Sequence, residues 1–353
     1  MWKDFILQLL LKPFVMIRIP FEEVQQTIEA AFLKAGLSPE FASTCARIHV
    51  ETSQDGVYSH GLNRVEKFVD YVKQGWVNPS ATPSLSFQVG NLEIYDGHIG
   101  PGITNALFAM DRAMELARDM GLGLVTLRNT THWMRGGSYG WHAAEKGFMS
   151  ICWTNTESCM PAWGAQSASI GNNPFVMAIP RKEGHVVLDM AMSQYSYGKL
   201  EITRLKGEQL PYPGGFNAAG ELTSLPAEIE ESRRILPTGY WKGSSLAIML
   251  DLFAGILSQG NTTASVDTAG YGNCGACSQV FIAIDPLKIS NQAFIDQALE
   301  TTIGQLHNAK PTEPGVQIQY PGERSLRTRK ENQAMGVPVH EAVWERVKGL
   351  AGA

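Results

Sequence analysis

The chain has 353 residues, 44% of them hydrophobic and 18% charged, with a formal net charge of -5. That length allows two domains and a large buried core, and weak acidity without a basic block excludes nucleic acid as the main partner. Five scattered cysteines (Cys45, Cys152, Cys159, Cys274 and Cys277) exclude a disulfide framework and point to a reducing, cytoplasmic setting.

Residues 1–15 carry a short apolar run, Phe5 to Leu11, that is too short to span a bilayer. Lys12-Pro13-Phe14 follows in place of a small-residue cleavage site, so a signal peptide is not expected. Met16 precedes the first well-formed helix signal, which makes 1–15 an extension of unknown role, either an over-extended start or a dispensable arm. Phe21, Val24, Ile28 and Phe32 then recur at helical spacing up to Gly36. A second helix starts after Ser38-Pro39 with Phe41, Cys45 and Ile48 inward, and a third carries Val65, Phe68, Val69 and Val72. Between them lies Gly56-Val57-Tyr58-Ser59-His60-Gly61-Leu62-Asn63-Arg64. If His60 opens a helix, Arg64 lies one turn on along the same face, so one residue can give a proton while the other holds a carboxylate. An isolated pair at this spacing reads more readily as a surface histidine and a solvated arginine.

From Pro79 short strands appear at Leu85–Val89 and Leu92–Tyr95, then a glycine-rich turn feeds a helix through Leu107, Met110, Met114 and Leu116 to Gly121. Leu122–Leu127 reads as a buried strand, and His132 and Trp133 stand at its exit, where α/β proteins place function, although a lone histidine beside a tryptophan reads equally as a packed polar residue. A helix at Trp141–Glu145 and strands at Met149–Thr154, Phe175–Ile179 and Val186–Met190 follow. Gly207 to Glu231 is too long for an ordinary connection, and Phe216, Leu222 and Leu225 are candidates to pin it down. Leu246–Leu257 is apolar but shorter than a membrane span and includes Asp251, which predicts a buried helix. A strand at Val280–Ile284 and helices through Phe294–Leu306 and His340–Leu350 close the chain.

Gly270-Tyr271-Gly272-Asn273-Cys274-Gly275 is a literal G-x-G-x-x-G. No strand precedes it and no helix follows, so it reads as a turn and gives no sign of a Rossmann domain. Cys274-x-x-Cys277 is half a zinc site without its other half, and two incidental thiols explain it better. Asp189 ends a strand, where an acid could accept from ribose hydroxyls, although alone it reads as a turn residue or helix cap. Trp241-Lys242 opens a helix, so Lys242 with the free N–H groups of Gly243 and Ser244 predicts a phosphate cradle. Gly322-Glu323-Arg324 alone is a turn.

Taken together, several blocks carry a resemblance. They are Gly56 to Gly61 with Asn63-Arg64, Arg128-Asn129 with His132 to Trp141, Ile151 to Asn155, Ser196-Tyr197-Gly198, and Arg234 to Pro237 with Gly239 to Ser244. From about Phe21 onward the sequence resembles the malate/L-lactate dehydrogenase-like family of NAD(P)H-dependent 2-oxo-acid reductases. Residues 1–15 have no counterpart there, Asn172 stands where that pattern has a threonine, and the last two residues of Gly322-Glu323-Arg324 depart from it.

The resemblance implies an α/β fold of the α+β type, a non-Rossmann NAD(P)-binding fold of the L-sulfolactate dehydrogenase-like kind. It implies a helical substrate and dimerisation domain from both chain ends (16–80 with 310–353) around an α/β cofactor domain (81–309). It implies a homodimer with the active site near the interface, no membrane and no nucleic acid. Its catalytic set is His60 as proton donor, Arg64 on the substrate carboxylate and His132 orienting the substrate or polarising the carbonyl, and the glycines flanking this pair, Gly61 among them, then read as room for a substrate. Cofactor contacts fall on His185, Val186, Val187, Leu188, Asp189, Met190, Ala191, Trp241, Lys242, Gly322, Glu323 and Arg324, with NADH preferred and NADPH the alternative. His60 supplies the electrophile, so no metal is expected. The rivals are a reductase for another oxo acid or imine (malate, lactate, ureidoglycolate or a cyclic imine) and a binding protein that has lost turnover.

Overall fold

A computed structural model describes residues 16–273 and 275–352. The apolar run in 1–15 and Cys274, one half of the CxxC pair, lie outside the described residues. Contacts divide the chain into two compact units, 16–73 with 325–352, and 74–324. Residues 74–80 and 310–324, grouped by sequence with the helical part, pack instead with the α/β unit.

The first unit begins with β1 (Met16–Ile19), α1 (Phe21–Lys34) and α2 (Pro39–Gln54). Ser38 caps α2 by accepting from the Phe41 N–H at 3.3 Å, and Pro39 occupies the first turn, where its missing N–H costs nothing. The inward faces of these helices meet around Phe32, His49 and Phe68, with Phe68 on α3 (Val65–Lys73).

The second unit is built on a seven-stranded sheet. In chain order it supplies β2 (Ser84–Val89), β3 (Leu92–Asp96), α4 (Gly102–Met120), β4 (Leu122–Thr130), α5 (Gly137–Glu145), β5 (Met149–Thr154), β6 (Phe175–Ile179) and β7 (Val186–Met190). Then come α6 (Tyr197–Leu205), α7 (Trp241–Ser258), β8 (Cys277–Ile284) and α8 (Gln292–His307). The strand order is β2-β3-β4-β8-β5-β6-β7. Only β3 and β4, joined by α4, run parallel; every other neighbouring pair is antiparallel.

Strand alternation puts helices on both faces. Gly123 of β4 faces α4, where a Cβ would press on the Ala113 backbone and the Leu116 side chain. Its neighbours face the other way: Leu124 packs in the cluster around Ala247 and Leu250 of α7, and Thr126 Oγ1 donates to the Leu257 carbonyl at 3.1 Å. The literal glycine motif lies in the turn before β8, with Gly270 and Gly272 at φ +85° and +56°.

Two sequence expectations change here. The Gly207–Glu231 stretch is pinned by buried Leu210 and Ile229, while Leu222 and Leu225 are exposed. A short ladder, Gly215–Phe216 against Leu222–Thr223, folds the stretch back on itself, and that turns Leu222 outward. Helix α7 is not wholly buried either: Leu246, Met249, Leu252, Phe253 and Ile256 are exposed. A helix apolar all round reads as buried, but only one of its faces meets the sheet.

The chain returns to the first unit through α9 (Glu323–Met335), whose first two residues belong to the second unit, then β9 (Val337–His340) and α10 (Glu341–Ala351). β9 pairs antiparallel with β1, Ile19 opposite Val337. Sequence periodicity gave no sign of α9, because it is polar all round.

Glu93 of β3 is buried and takes two bonds from Arg112 of α4, at 2.8 and 2.7 Å. Arg112 and then Tyr95 hold its carboxyl below the usual carboxylate range, against the burial that would raise it. A depressed folded pKa means this contribution is present above the ordinary carboxylate range and is lost as pH falls. We predict that Arg112→Met, which keeps the stem but strands the charge, costs about 3 kcal/mol, read from the urea midpoint at neutral pH. An unchanged midpoint would refute the pair's role.

Candidate active site

His60 and Arg64 do not share the first turn of a helix. They end two consecutive 3-10 turns, Tyr58–His60 and Leu62–Arg64, which meet at Gly61 and lead into α3. The break is at Gly61, whose ψ of -127° turns its peptide out of helical orientation. That peptide, the Gly61 C=O with the Leu62 N–H, is held at both ends by α2. His49 Nδ1 bonds the carbonyl at 3.0 Å, and Ser53 Oγ accepts the N–H at 2.8 Å. The two side chains are one helical turn apart on one face.

The glycine is required for this grip. A Cβ on Gly61 would lie 2.8 Å from the Ser53 nitrogen and 2.9 Å from the His49 carbonyl oxygen. So the space beside Gly61, expected from sequence to be room for a substrate, is filled by the backbone of α2. Gly56, at φ +82°, starts the turn and would meet Thr328 of α9. Just before it, Asp55 is buried and takes two bonds from Arg329, at 2.6 and 2.8 Å, and the Gln54 carbonyl accepts from Asn332 at 2.7 Å. The end of α2, and the turn that follows, are thereby tied to α9.

Within the turn, Ser59 Oγ sits 3.0 Å from His60 Nδ1. Arg64 is half-buried, and its Nε is buried without a hydrogen-bond partner among the described residues. A buried donor left unpaired is costly, so this atom is poised for an acceptor supplied from outside the chain.

His132 belongs to the second unit. Its loop leaves β4 through Asn129 and Met134, both with left-handed φ (49° and 62°), an uncommon and strained conformation for these residues. Neighbours hold it there: Asn129 Nδ2 donates to Asp96 at 2.9 Å, Trp133 is buried against Tyr139 and Phe281, and Tyr139 OH donates to the Trp133 carbonyl. The Met134 N–H donates to His132 Nδ1 at 2.9 Å, so a neutral ring carries its proton on Nε2.

Three of the sequence-selected cofactor segments converge in this unit. Val187 of β7, the last strand of the sheet, gives its N–H to the Pro321 carbonyl at 2.8 Å. Gly322 follows at φ +95°, where a Cβ would lie 3.1 Å from the Val187 nitrogen and 3.3 Å from Trp141. Beyond β7 the chain pairs with the segment that feeds Trp241-Lys242: Thr238 N–H to the Met192 carbonyl at 2.8 Å, and Gln194 N–H to the Leu236 carbonyl at 2.7 Å. Ser193 lies in that pairing with its hydroxyl buried and without a partner among the described residues. Trp241, Lys242 and Arg324 are exposed, whereas Glu323 accepts from the Tyr320 N–H at 3.0 Å and faces His307 at 3.1 Å. His185 accepts from the Arg181 N–H and packs on Trp141.

Two details differ from expectation. The N–H groups of Gly243 and Ser244 are not free: they bond the Thr238 and Tyr240 carbonyls at 2.9 and 3.2 Å. The chain enters α7 through a tight turn with Tyr240 at φ 62°, and that turn consumes the first donors of the helix. Asp189 pairs with Arg135 Nε at 3.3 Å and lies against Gly137, so its carboxylate already has a structural partner.

His49 and Ser53 escaped the sequence reading. The available signal was polar residues four apart on the inward face of an otherwise apolar amphipathic helix, beside Cys45 and Ile48.

With this geometry in view, the relatives are consistent with one another. The malate/L-lactate dehydrogenase family description matches residues 19–348, and the chain belongs to that family. It is therefore an oxidoreductase of the CH–OH/C=O class that works with a nicotinamide cofactor. The 2,3-diketo-L-gulonate reductase of Klebsiella pneumoniae (strain 342) is 43% identical over 333 residues, 94% of this chain and 100% of that protein. Among solved structures, sulfolactate dehydrogenase from Methanocaldococcus jannaschii matches with a TM-score of 0.87 at 26% identity, over 95% of this chain and 97% of that one. The delta1-piperideine-2-carboxylate reductase from Pseudomonas syringae pvar. tomato matches at 0.85 and 26%, over 95% and 99%.

Burial pushes the His49 imidazole down to about 4 from 6.5, with Arg64 and His60 adding repulsion and the Gly61 bond opposing. The unfolded ring takes its proton first as pH falls, so this stability is complete above pH 6.5 and drains toward pH 4. We predict that His49→Phe removes about 2–3 kcal/mol of the stability lost between pH 7 and pH 4.5. Parallel stability-against-pH curves for the two proteins in urea unfolding would contradict it.

Proposed function

We propose that this chain reduces 2,3-diketo-L-gulonate to 3-keto-L-gulonate, with NADH preferred over NADPH. The whole-length match to a reductase of that name supports the substrate. The observation that carries the site is Arg64 Nε, a donor that is buried without a partner among the described residues and lies one turn from His60.

The bound nicotinamide supplies the hydride that the C2 carbonyl receives. Negative charge then develops on the carbonyl oxygen. His60, as imidazolium, donates a proton to it, and with Nδ1 engaged by Ser59 the donating atom is Nε2. Arg64 holds the substrate carboxylate through its planar fork. His132, carrying its proton on Nε2, gives a hydrogen bond to a substrate oxygen. The residues at and just beyond β7 suit a polar cofactor: the Ser193 hydroxyl is buried without a partner among the described residues, and Gly322 lets backbone approach backbone. His185 to Ala191, Trp241, Lys242 and Gly322 to Arg324 are the proposed contacts, with Asp189 acting through Arg135.

The same reading assigns the non-Rossmann, L-sulfolactate dehydrogenase-like fold, supported by the likeness to sulfolactate dehydrogenase and by a sheet with a single parallel pair. It gives the helical unit the substrate and dimerisation roles, and it places the protein in the cytoplasm. Turnover of another 2-oxo acid, or ligand binding without turnover, are the outcomes that a panel of oxo acids with NADH and NADPH separates from it. Loss of nicotinamide absorbance is expected with 2,3-diketo-L-gulonate, and fastest with NADH. His60→Ala should lower turnover by roughly 10²–10⁴-fold, and Arg64→Lys should raise KM more than it lowers kcat. Near-normal turnover in His60→Ala would end the assignment.

A homodimer is supported by the exposed apolar row of α7, since contiguous apolar surface of this kind marks interfaces, so the interface we propose includes the second unit as well as the helical one. Met249→Glu with Phe253→Glu is expected to shift sedimentation from dimer to monomer; a wild-type monomer at micromolar concentration would refute the dimer.

A further inference from the structure

We propose that His49 is a positioning residue for the His60–Arg64 turn, acting through the peptide between Gly61 and Leu62. The proposal rests on the assignment of His60 as proton donor, and its test separates the two.

His49 occupies an apolar site. It is fully buried, with ring centroids 5.4 Å from Phe32 and 6.2 Å from Phe68. A phenylalanine or leucine would fill this space without carrying polar atoms out of water. The histidine's Nε2 does not account for its presence, since that atom is buried with no hydrogen-bond partner among the described residues. What remains is Nδ1, which donates to the Gly61 carbonyl. Because the acceptor is a carbonyl, the proton must sit on Nδ1, and the low pKa of the buried ring keeps it neutral in that tautomer.

Packing alone does not need this bond either. The Gly61 carbonyl already accepts the Arg64 N–H at 2.9 Å, so it would not be orphaned without His49. The bond's distinctive effect is orientational. The Gly61–Leu62 peptide is the joint between the turn that carries His60 and the turn that carries Arg64. With one end on His49 and the other on Ser53, the peptide plane cannot swing about Gly61, a residue that otherwise rotates freely. The relative aim of proton donor and carboxylate clamp is fixed by that plane, and errors near 1 Å in such placement cost about 10²-fold in rate.

His49→Phe keeps the ring and the volume but deletes the donor. His49→Asn shrinks the side chain but puts an amide N–H where Nδ1 was. Positioning predicts that stability and activity part company. His49→Phe should keep its thermal midpoint yet lose roughly 10- to 100-fold in kcat, with NADH affinity by fluorescence titration unchanged. His49→Asn should melt earlier yet recover most of that kcat. Ser53→Ala, which releases the other end of the peptide, should also lower kcat, and it keeps the test alive if His49→Phe folds poorly. Wild-type kcat in His49→Phe, or kcat falling in step with melting temperature across the three variants, would overturn the proposal. If His60→Ala is inactive while His49→Phe is not impaired, the positioning role alone fails. If His60→Ala turns over normally, the proton-donor assignment fails first.

Discussion

The geometry around His60 depends on one peptide plane. A histidine and an arginine on successive 3-10 turns have no regular hydrogen-bond ladder to fix their relative direction, and the residue between them is a glycine, which by itself rotates freely. Helix α2 removes that freedom with two side chains, His49 on the carbonyl and Ser53 on the N–H, and with backbone that leaves no space for a Cβ on Gly61. The helix is in turn anchored where it ends: Asp55 and the Gln54 carbonyl are held by Arg329 and Asn332 of α9. The α-helix thus ends at Gln54, and side chains fix the two 3-10 turns that carry the chain across the next ten residues until α3 begins.

The second unit meets the same need differently. There the rigid element is the sheet, and the loops that carry the proposed site residues hang from its ends. β4 ends in strained φ values at Asn129 and Met134, which buried aromatic packing and the Asp96 carboxylate hold in place. β7, with only one strand neighbour, leaves its Val187 N–H to capture Pro321 from far along the chain. An edge strand is usually a liability. Here the open edge gathers segments separated by more than a hundred residues, and the chain beyond β7 extends this by pairing with 236–238.

Most elements were legible in the sequence because they follow a period: α1, α2 and α3 from apolar spacing, β4 to β8 from short apolar runs. The candidate site was legible as residue types, His60, Arg64 and His132, and as blocks of family resemblance. What could not be read is where the backbone polar groups go. Gly61 looked like open space because sequence does not say that Ser53 would lie against it. α9 was invisible because it is polar all round, its structural work being done by Arg329, Asn332 and Thr328 at single points. α7 misled in the opposite direction, since an apolar period cannot say whether the second face is covered by this chain.

The start of α7 shows how such details bear on chemistry. A helix N-terminus attracts anions mainly through N–H groups that no carbonyl has taken. In α7 the Lys242, Gly243 and Ser244 N–H groups are already bonded to Gly239, Thr238 and Tyr240. Ser244 Oγ, a further polar atom of the first turn, accepts from the Trp163 N–H at 2.9 Å. An anion arriving there would therefore meet the Lys242 ammonium as a point charge on a flexible stem, in place of a rigid backbone cradle. Such a contact supplies charge neutralisation with little directional demand. If the cofactor binds at this end, as we propose, discrimination between cofactors would fall to the groups with fixed geometry: the buried Ser193 hydroxyl, the β7 backbone and the Arg135–Asp189 pair.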